Sequence, residues 1–347
     1  SVVELTPPPA NDNCSAATSL PCATTNLAGT TVGTVPQAAV WMVASDYGVW
    51  YKFTGDGIAT TISTVGTTMN QSMTILSGTC ASLTFVSHVN ANASSSGGTE
   101  TYSFTPTNGI DYFIYVSYYL SGSTTVGTFT ISRVCFPPPA NDECADATSL
   151  PCATTNLAGT TQYAVLESAP GSSSDYGVWY EFTGDGVYTT ISTFGTTMNQ
   201  AMTILYGPSC GSLTVEANVN ANASSSGGTE TYSFYPTNGV DYYVYVSYYL
   251  AGSTTTGTFT ISRDCPSAPA NDACAGATSL PCATSDLAGT TVAAVAESAP
   301  SISSDYGVWY KFTGDGVYTT ISTFGTTMNQ SMTVLYGSCG SLALESH

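Results

Sequence analysis

The sequence is poor in charge, and above all in positive charge. Only four of its 347 residues are lysine or arginine, against 23 aspartates and glutamates, so the formal net charge is −19. Nucleic acids and anionic membrane surfaces are therefore disfavoured as partners, because both are bound through clustered cations. The four cations also give trypsin-like proteases few places to cut.

Long apolar runs are absent and histidines are few. No run of 18 apolar residues occurs, so no membrane-spanning helix is predicted. His88 and His347 are the two histidines, and no serine lies in a nucleophile-elbow pattern. No Cys-x-x-Cys pair suggests a zinc site. We assign no catalytic residue and predict that the chain is not an enzyme.

What the sequence does contain is a repeat of about 130 residues. The motif Pro-Ala-Asn-Asp-x-Cys occurs at 9–14, 139–144 and 269–274, and the third repeat stops part-way. We predict an N-terminal extension at 1–8, a first module at 9–135, a linker plus second module at 136–265, and a linker plus truncated third module at 266–347 (copies one, two and three). Proline-rich junctions predict short, semi-rigid spacers.

Each copy is predicted to be a β-sandwich, so the chain is all-β, with tandem jelly-roll-like modules. Short segments rich in Val, Thr, Tyr and Phe alternate with Gly, Asn and Asp clusters. In copy one, side-chain alternation over 48–54 predicts that Val49, Tyr51 and Phe53 share one face, opposite Trp50. The strands predicted for copy one are 26–32, 48–54, 60–65, 72–77, 82–89, 100–105, 111–119 and 127–133. One helical turn, capped by Asn11 or Asp12, is expected before them.

The eleven cysteines divide as four, four and three among the copies. Such a set predicts disulfides and an oxidising, extracellular compartment. Three pairings are possible in each complete copy, and we favour the one that clamps the start of a module to its end. The favoured pairs are Cys14–Cys135, Cys22–Cys80, Cys144–Cys265, Cys152–Cys210 and Cys282–Cys339.

Several repeated motifs resemble a known family. They are Asn-Asp-x-Cys-x-x-Ala, Val-Trp-Tyr-x-Phe-Thr-Gly, a Leu-Tyr-Gly segment before a cysteine, and a closing Tyr-Tyr-Val-x-Val strand. Together they resemble secreted bacterial β-sandwich repeats, similar to pre-peptidase C-terminal domains, that are common in large surface proteins of Bacteroidota. The resemblance implies an extracellular module found in adhesins or as a non-catalytic appendage of hydrolases.

Two repeated aspartate motifs are candidates for calcium, the one cofactor we consider. Ser-Asp-Tyr-Gly and Gly-Asp-Gly place loop carboxylates beside glycines, as calcium sites do. The alternative is turn chemistry, in which Asp-Gly is common. The candidate ligands are Asp46, Asp56, Asp175, Asp185, Asp305 and Asp315.

Other candidate contacts lie in loops and on one strand. Copy one carries the apolar run Val40, Trp41, Met42 and Val43 where copies two and three carry Glu-Ser-Ala-Pro. The run predicts an interface with another module or subunit, and the alternative is a loop folded back on its own module. Asn92 and Asn222 lie in Ser/Gly-rich loops and are possible glycosylation sites. The tyrosines at 112, 115, 118 and 119, repeated in copy two, either stack on sugars or a neighbour, or pack in the core.

We predict a structural, extracellular or cell-surface repeat protein that forms a fibre, stalk or adhesive appendage. Its partners would be other copies of itself and glycans. The alternative is an array of carbohydrate-binding modules attached to a secreted hydrolase. Because the chain starts at Ser1 and copy three is cut short, we expect either an excerpt of a longer array or strands supplied in trans.

Overall fold

The structure is a computed structural model that describes residues 6–38, 45–91, 97–171, 174–221 and 227–346. Two compact units divide the chain, Ser1–Pro138 and Pro139–His347. Copy one belongs to the first unit, and copies two and three belong to the second. The finer module boundaries stay a prediction. No helix among the described residues is long and apolar enough to cross a membrane.

Copy one is a sandwich of two mainly antiparallel sheets. One has the strand order β1-β5-β10-β7-β8 and the other the order β2-β11-β6-β9. Its strands are β1 (Thr18–Ser19), β2 (Thr24–Thr30), β3 (Gln37–Ala38), β4 (Ser45–Asp46), β5 (Gly48–Thr54), β6 (Ala59–Gly66), β7 (Gln71–Thr79), β8 (Ser82–Val89), β9 (Thr99–Phe104), β10 (Asp111–Tyr118) and β11 (Thr128–Phe136). The predicted sandwich and its strands are confirmed, with small shifts at the ends.

Copy two repeats this arrangement. Its sheets have the orders β12-β16-β21-β18-β19 and β13-β22-β17-β20. The strands are β12 (Thr148–Ser149), β13 (Thr154–Thr160), β14 (Leu166–Ser168), β15 (Ser174–Tyr176), β16 (Val178–Thr183), β17 (Thr189–Gly195), β18 (Gln200–Tyr206), β19 (Thr214–Val219), β20 (Thr229–Phe234), β21 (Asp241–Tyr248) and β22 (Thr258–Asp264). In both copies the two central strands come last in the sequence.

Copy three forms only two-stranded pairings among its described residues. It has β23 (Thr278–Ser279), β24 (Ala296–Ala299), β25 (Ile302–Tyr306), β26 (Tyr310–Lys311), β27 (Val334–Ser338) and β28 (Ser341–Ser346). The 347-residue chain contains no counterpart of β20, β21 or β22 in this copy. Without those strands the remaining segments have no central partner in either sheet.

The core of each complete copy lies between its two sheets. Val49, Tyr51 and Phe53 pack there with side chains from the facing sheet, such as Ile62 and Phe129. Trp50 points the other way and forms a second cluster on the outer face. The predicted division of the 48–54 strand into two faces is confirmed.

The Asn-Asp motif works differently from the predicted helix cap. A short 3-10 helix, Cys14–Ala16, begins after Asn13 and receives no side-chain cap. The Asn11 side chain instead donates to the Trp50 carbonyl at 2.9 Å, and the Asn11 carbonyl accepts the Trp50 N–H. The Asp12 carboxylate accepts the backbone N–H of Val35 at 3.2 Å. The motif therefore ties the start of the module to β5 through Asn11 and to the loop at Val35 through Asp12.

Disulfides form, but not in the predicted pairs. The bonds are Cys14–Cys80, Cys22–Cys135, Cys144–Cys210, Cys152–Cys265 and Cys274–Cys339, and Cys282 is an exposed free thiol. The predicted Cys14–Cys135, Cys22–Cys80, Cys144–Cys265, Cys152–Cys210 and Cys282–Cys339 are therefore wrong. Five disulfides are typical of proteins that fold in an oxidising, extracellular compartment.

Strand register explains the pairing. Thr24 lies opposite Arg133 in the β2–β11 ladder, and two residues further along the two strands stand Cys22 and Cys135. Cys14 packs on the outer face of the other sheet, in the cluster that contains Leu83, near the turn that carries Cys80. Cys14 thus lies at the sheet that contains β5 and β10, and Cys22 lies at the sheet that contains β2 and β11. The spacing of the cysteines alone does not reveal this.

Candidate functional site

The Gly-Asp-Gly aspartate holds a turn in every copy, and in copies one and two it also pairs with an arginine. In copy one, Asp56 Oδ1 accepts the backbone N–H of Ile58 at 3.1 Å, and Asp56 Oδ2 lies 3.4 Å from the guanidinium of Arg133. That guanidinium also lies 3.6 Å above the ring of Phe53. Asp185 and Arg263 form the same pair in copy two, at 3.6 Å. The two arginines are therefore buried, paired and removed from the surface.

The Ser-Asp-Tyr-Gly aspartates hold a different loop. Asp46 Oδ1 accepts the backbone N–H of Gly122 at 2.6 Å, and its main-chain carbonyl accepts the Tyr115 hydroxyl at 2.9 Å. Asp175 repeats both contacts with Gly252 and Tyr245. Burial raises the pKa of Asp175, while the bond from Gly252 lowers it. Asp305, in copy three, is exposed.

In copies one and two, the contacts of these aspartates favour the turn interpretation over a calcium site. Each carboxylate is engaged separately, and Asp56 and Asp185 face a positive arginine rather than further oxygen ligands. Among the described residues, groups of three ligand-type side chains meet at Cys22, Asp56 and Cys135 and at the matching residues of copy two. The cysteine sulfurs in both groups are bonded to each other as disulfides. The turn interpretation therefore accounts for Gly-Asp-Gly, and calcium binding stays a prediction.

The tyrosine stripe belongs largely to the core. Tyr112 is 6% exposed and Tyr115 is 1% exposed, so neither presents a ring to a sugar. Burial raises the pKa of Tyr115, and the nearby Asp46 and Asp12 raise it further. Tyr118 and Tyr119 form an edge-to-face pair with centroids 4.8 Å apart. The matching tyrosines of copy two behave in the same way.

Some predicted contacts lie outside the described residues. These are the apolar loop Val40, Trp41, Met42 and Val43 and the two sequons Asn92 and Asn222. They stay predictions. His88 is described, and its Nδ1 lies 2.9 Å from the hydroxyl of Thr74. Burial lowers the pKa of His88.

A half-buried glutamate was not predicted from the sequence. In copy two, Glu167 Oε1 accepts the indole N–H of Trp179 at 2.6 Å, and Glu297 accepts the matching bond from Trp309. Copy one uses the neutral Gln37, whose Oε1 accepts from Trp50 at 2.9 Å. Burial raises the pKa of Glu167 to about 7, despite the bond from Trp179. A Glu or Gln recurring at a near-fixed distance before the tryptophan was the available signal.

A cluster of three tyrosines lies where copies two and three meet. Tyr235, just after β20, stacks on Tyr306 at the end of β25, with ring centroids 5.1 Å apart and planes 13° from parallel. Tyr188 packs against Tyr235 at 5.0 Å within copy two. The Tyr235 hydroxyl donates to the carbonyl of Ala294, which is fully buried. Copies two and three are therefore connected by ring stacking and a hydrogen bond.

Strand pairing within copy two places Tyr188 and Tyr235 together. Thr189 lies opposite Phe234 in the β17–β20 ladder, so the residues immediately outside the ladder, Tyr188 and Tyr235, meet at one end of the sheet. Burial raises the pKa of Tyr235, and Tyr306 and Tyr188 raise it further. Copy one has Ala59 and Thr105 at these two places. That difference between otherwise similar copies was visible in the sequence, but its position at a module end was not.

Comparisons with known proteins give no family. No family model and no curated protein matches the chain. Among solved structures, it is similar to the N-terminal tandem CBM22-1–CBM22-2 domain of Xyn10C from Paenibacillus barcinonensis, at 11% identity and a TM-score of 0.25, over 70% of this chain and 95% of that one. It is also similar to the PBSX exported protein XepA, at 12% identity and a TM-score of 0.18, over 69% and 86% of the two chains. The family resemblance of the motifs stays a prediction.

Proposed function

We propose that this chain is a structural component of an extracellular fibre, stalk or adhesive appendage, built from sandwich modules that dock on one another. The contact of Tyr235 with Tyr306 and Ala294 is the observation that carries the proposal, because it joins successive copies through specific side chains rather than through a linker alone. Aromatic pairs of this kind stabilise a contact by about 0.5–1.5 kcal/mol beyond the area they bury.

Durability outside the cell supports the same proposal. Each complete copy holds its start to distant strands through two disulfides. Of the four cations in the sequence, Arg133 and Arg263 are 2% and 3% exposed, which leaves Lys52 and Lys311 at the surface. A chain with only two exposed tryptic sites, and with disulfides in each complete copy, suits a proteolytic environment.

Negative-stain electron microscopy of the purified chain, at rising concentration, tests the assembly. We expect chains or fibres of modules with an axial repeat of one or three module lengths. Dispersed particles at every concentration, together with a chain that binds sugars selectively on a glycan array, would instead favour carbohydrate binding.

Hydrogen exchange tests the tyrosine contact itself. We expect Tyr235→Thr, which introduces the residue of copy one, to raise exchange over 293–306 without changing exchange in copy one. The matched control is Tyr318→Ala, since Tyr318 corresponds to Tyr188 but is 94% exposed. Equal exchange in both variants would show that the contact does not hold copies two and three together.

A further inference from the structure

The geometry of the Tyr235–Tyr306 pair allows more than docking. Its rings are 13° from parallel, whereas the other tyrosine pairs among the described residues are tilted or edge-to-face, at 44° to 63°. Near-parallel overlap places the ring carbons of two phenols against each other. Tyr306 is 52% exposed, so a small oxidant reaches it and its side chain is free to adjust.

The composition points to tyrosine as the available chemistry for covalent linkage. The chain has 23 tyrosines and only four lysines and arginines. Two of these four are arginines buried in ion pairs, and Lys52 and Lys311 carry the only amine side chains of the sequence. Linkage through lysine is therefore scarce along this chain, while phenols are abundant.

We propose that Tyr235 and Tyr306 are a site of dityrosine crosslinking, formed when a peroxide-dependent one-electron oxidant acts on the docked copies. Each phenol loses one electron and one proton, and the two phenoxyl radicals join through a bond between ring carbons ortho to the hydroxyls. The two ortho hydrogens shift to restore the phenols. Overall the protein loses two hydrogens and one peroxide is reduced to two waters.

This site deepens the proposed structural function and rests on it. The two tyrosines are far apart in sequence and belong to different copies, so their crosslink would fix a non-covalent contact permanently. Copy one has Thr105 at the place of Tyr235 and cannot form the same link from that position. The chain thus contains one module end equipped for this chemistry and one without it.

The test uses the full chain at high dilution, treated with a haem peroxidase and hydrogen peroxide. Digestion with a protease that cuts after acidic residues, followed by mass spectrometry, locates linked peptides. We expect a peptide pair containing Tyr235 and Tyr306, lighter by two hydrogens than its parts, as the main intramolecular product. Tyr235→Phe keeps the ring but removes the phenol and should abolish that product, whereas Tyr318→Phe should leave it unchanged.

The outcomes separate this inference from the proposed function. Linked peptides that join other tyrosines in place of Tyr235 and Tyr306 would overturn the crosslink. A Tyr235→Phe chain in which the same two peptides are still joined would also overturn it. If exchange over 293–306 is nevertheless slow in the untreated chain, the docking contact stands without it. Fast exchange over 293–306 in the untreated chain would remove the docking contact, and the crosslink with it.

Discussion

Copies two and three contain the same fourteen residues, at 187–200 and 317–330, in different structures. In copy two, residues Thr189–Gly195 form β17, and Phe194 and Met198 are 50% and 2% exposed. In copy three no strand covers 319–325, and Phe324 and Met328 are 90% and 49% exposed. The identical segments differ only in their partners, since β17 pairs with β20 and β22. Strand formation here is decided by non-local pairing, not by local propensity.

The largest expected difference between a complete copy and the incomplete copy three is their rate of cleavage by trypsin. Residues 49–57 and 308–316 are identical and each contains one lysine. Lys52 lies in β5 between two partner strands, so cleavage requires the sandwich to open, whereas Lys311 lies in a two-residue pairing. With an opening free energy of about 5 kcal/mol, Lys311 should be cut at least about 10³ times faster.

Limited digestion of the 347-residue chain, followed by intact-mass measurement, checks this ratio. The variant Lys311→Gln should resist trypsin altogether on the same timescale, because Arg133 and Arg263 are buried in ion pairs. Comparable cleavage at Lys52 and Lys311 would mean that copy one is no more closed than copy three.

Removal of a disulfide should make copy two less stable and so more similar to copy three. Cys152 and Cys265 close a loop with a sequence separation of 113 residues, which in the chain-entropy model stabilises the fold by about 4–5 kcal/mol. We expect the double variant Cys152→Ser/Cys265→Ser to lose this protection against exchange over 187–200. Cys282→Ser, at the matching free cysteine of copy three, should change nothing over 317–330. An unchanged 187–200 segment in the double variant would show that packing alone holds β17.

Glu167 gives the stability of copy two a pH dependence that Gln37, its counterpart in copy one, does not supply. Its pKa rises from 4.5 to about 7 on folding, because burial outweighs the bond from Trp179, and Glu143 and Asp142 add to the rise. The folded state therefore binds the proton more tightly, so stability should fall as pH rises from about 4.5 to 7 and stay level above. After discounting for solvent screening of a half-buried group, the change is about 1 kcal/mol.

Two reciprocal variants test this pH dependence. Glu167→Gln should remove the fall in stability with rising pH and raise the stability of copy two at pH 8, whereas Gln37→Glu should add such a fall to copy one, opposite in sign to the contribution of His88. Denaturant unfolding or hydrogen exchange between pH 4.5 and 8 measures both. A slope in copy two that persists in Glu167→Gln would assign the effect to other carboxylates, such as Asp175, whose pKa is also raised by burial.

The comparison also explains what the sequence could predict. Alternation over 48–54 gave the correct faces for Val49, Tyr51, Phe53 and Trp50, because a strand with two different neighbours leaves a local pattern. Disulfide partners depend on strand register between distant segments, so the spacing of Cys14, Cys22, Cys80 and Cys135 was insufficient. The aspartate motifs left calcium and turn interpretations open for a related reason, since the arginine that engages Asp56 is distant in sequence.

The tyrosine contact and the half-buried glutamate could not be predicted from the sequence for the same reason. Tyr188 and Tyr235 are 47 positions apart, and only the β17–β20 register brings them to one end of the module. Glu167 is recognisable only when its tryptophan partner is known. Sequence differences between copies marked both positions, and a search for substitutions between otherwise identical repeats would have found them.

The smallest expected effect lies in a turn that all three copies share. Ala23, Ala153 and Ala283 have φ values of 62°, 63° and 67°, a left-handed conformation that costs an alanine about 1–2 kcal/mol. Glycine relieves this cost but gains freedom in the unfolded chain, so Ala153→Gly should stabilise copy two by about 0.5 kcal/mol. Ala147→Gly, at φ −51°, has no such strain to relieve and should destabilise the same copy slightly. In copy three, Ala283→Gly should leave exchange over 317–330 unchanged, because that segment is already open; a measurable gain there would show that local turn geometry, and not the missing central strands, limits its structure.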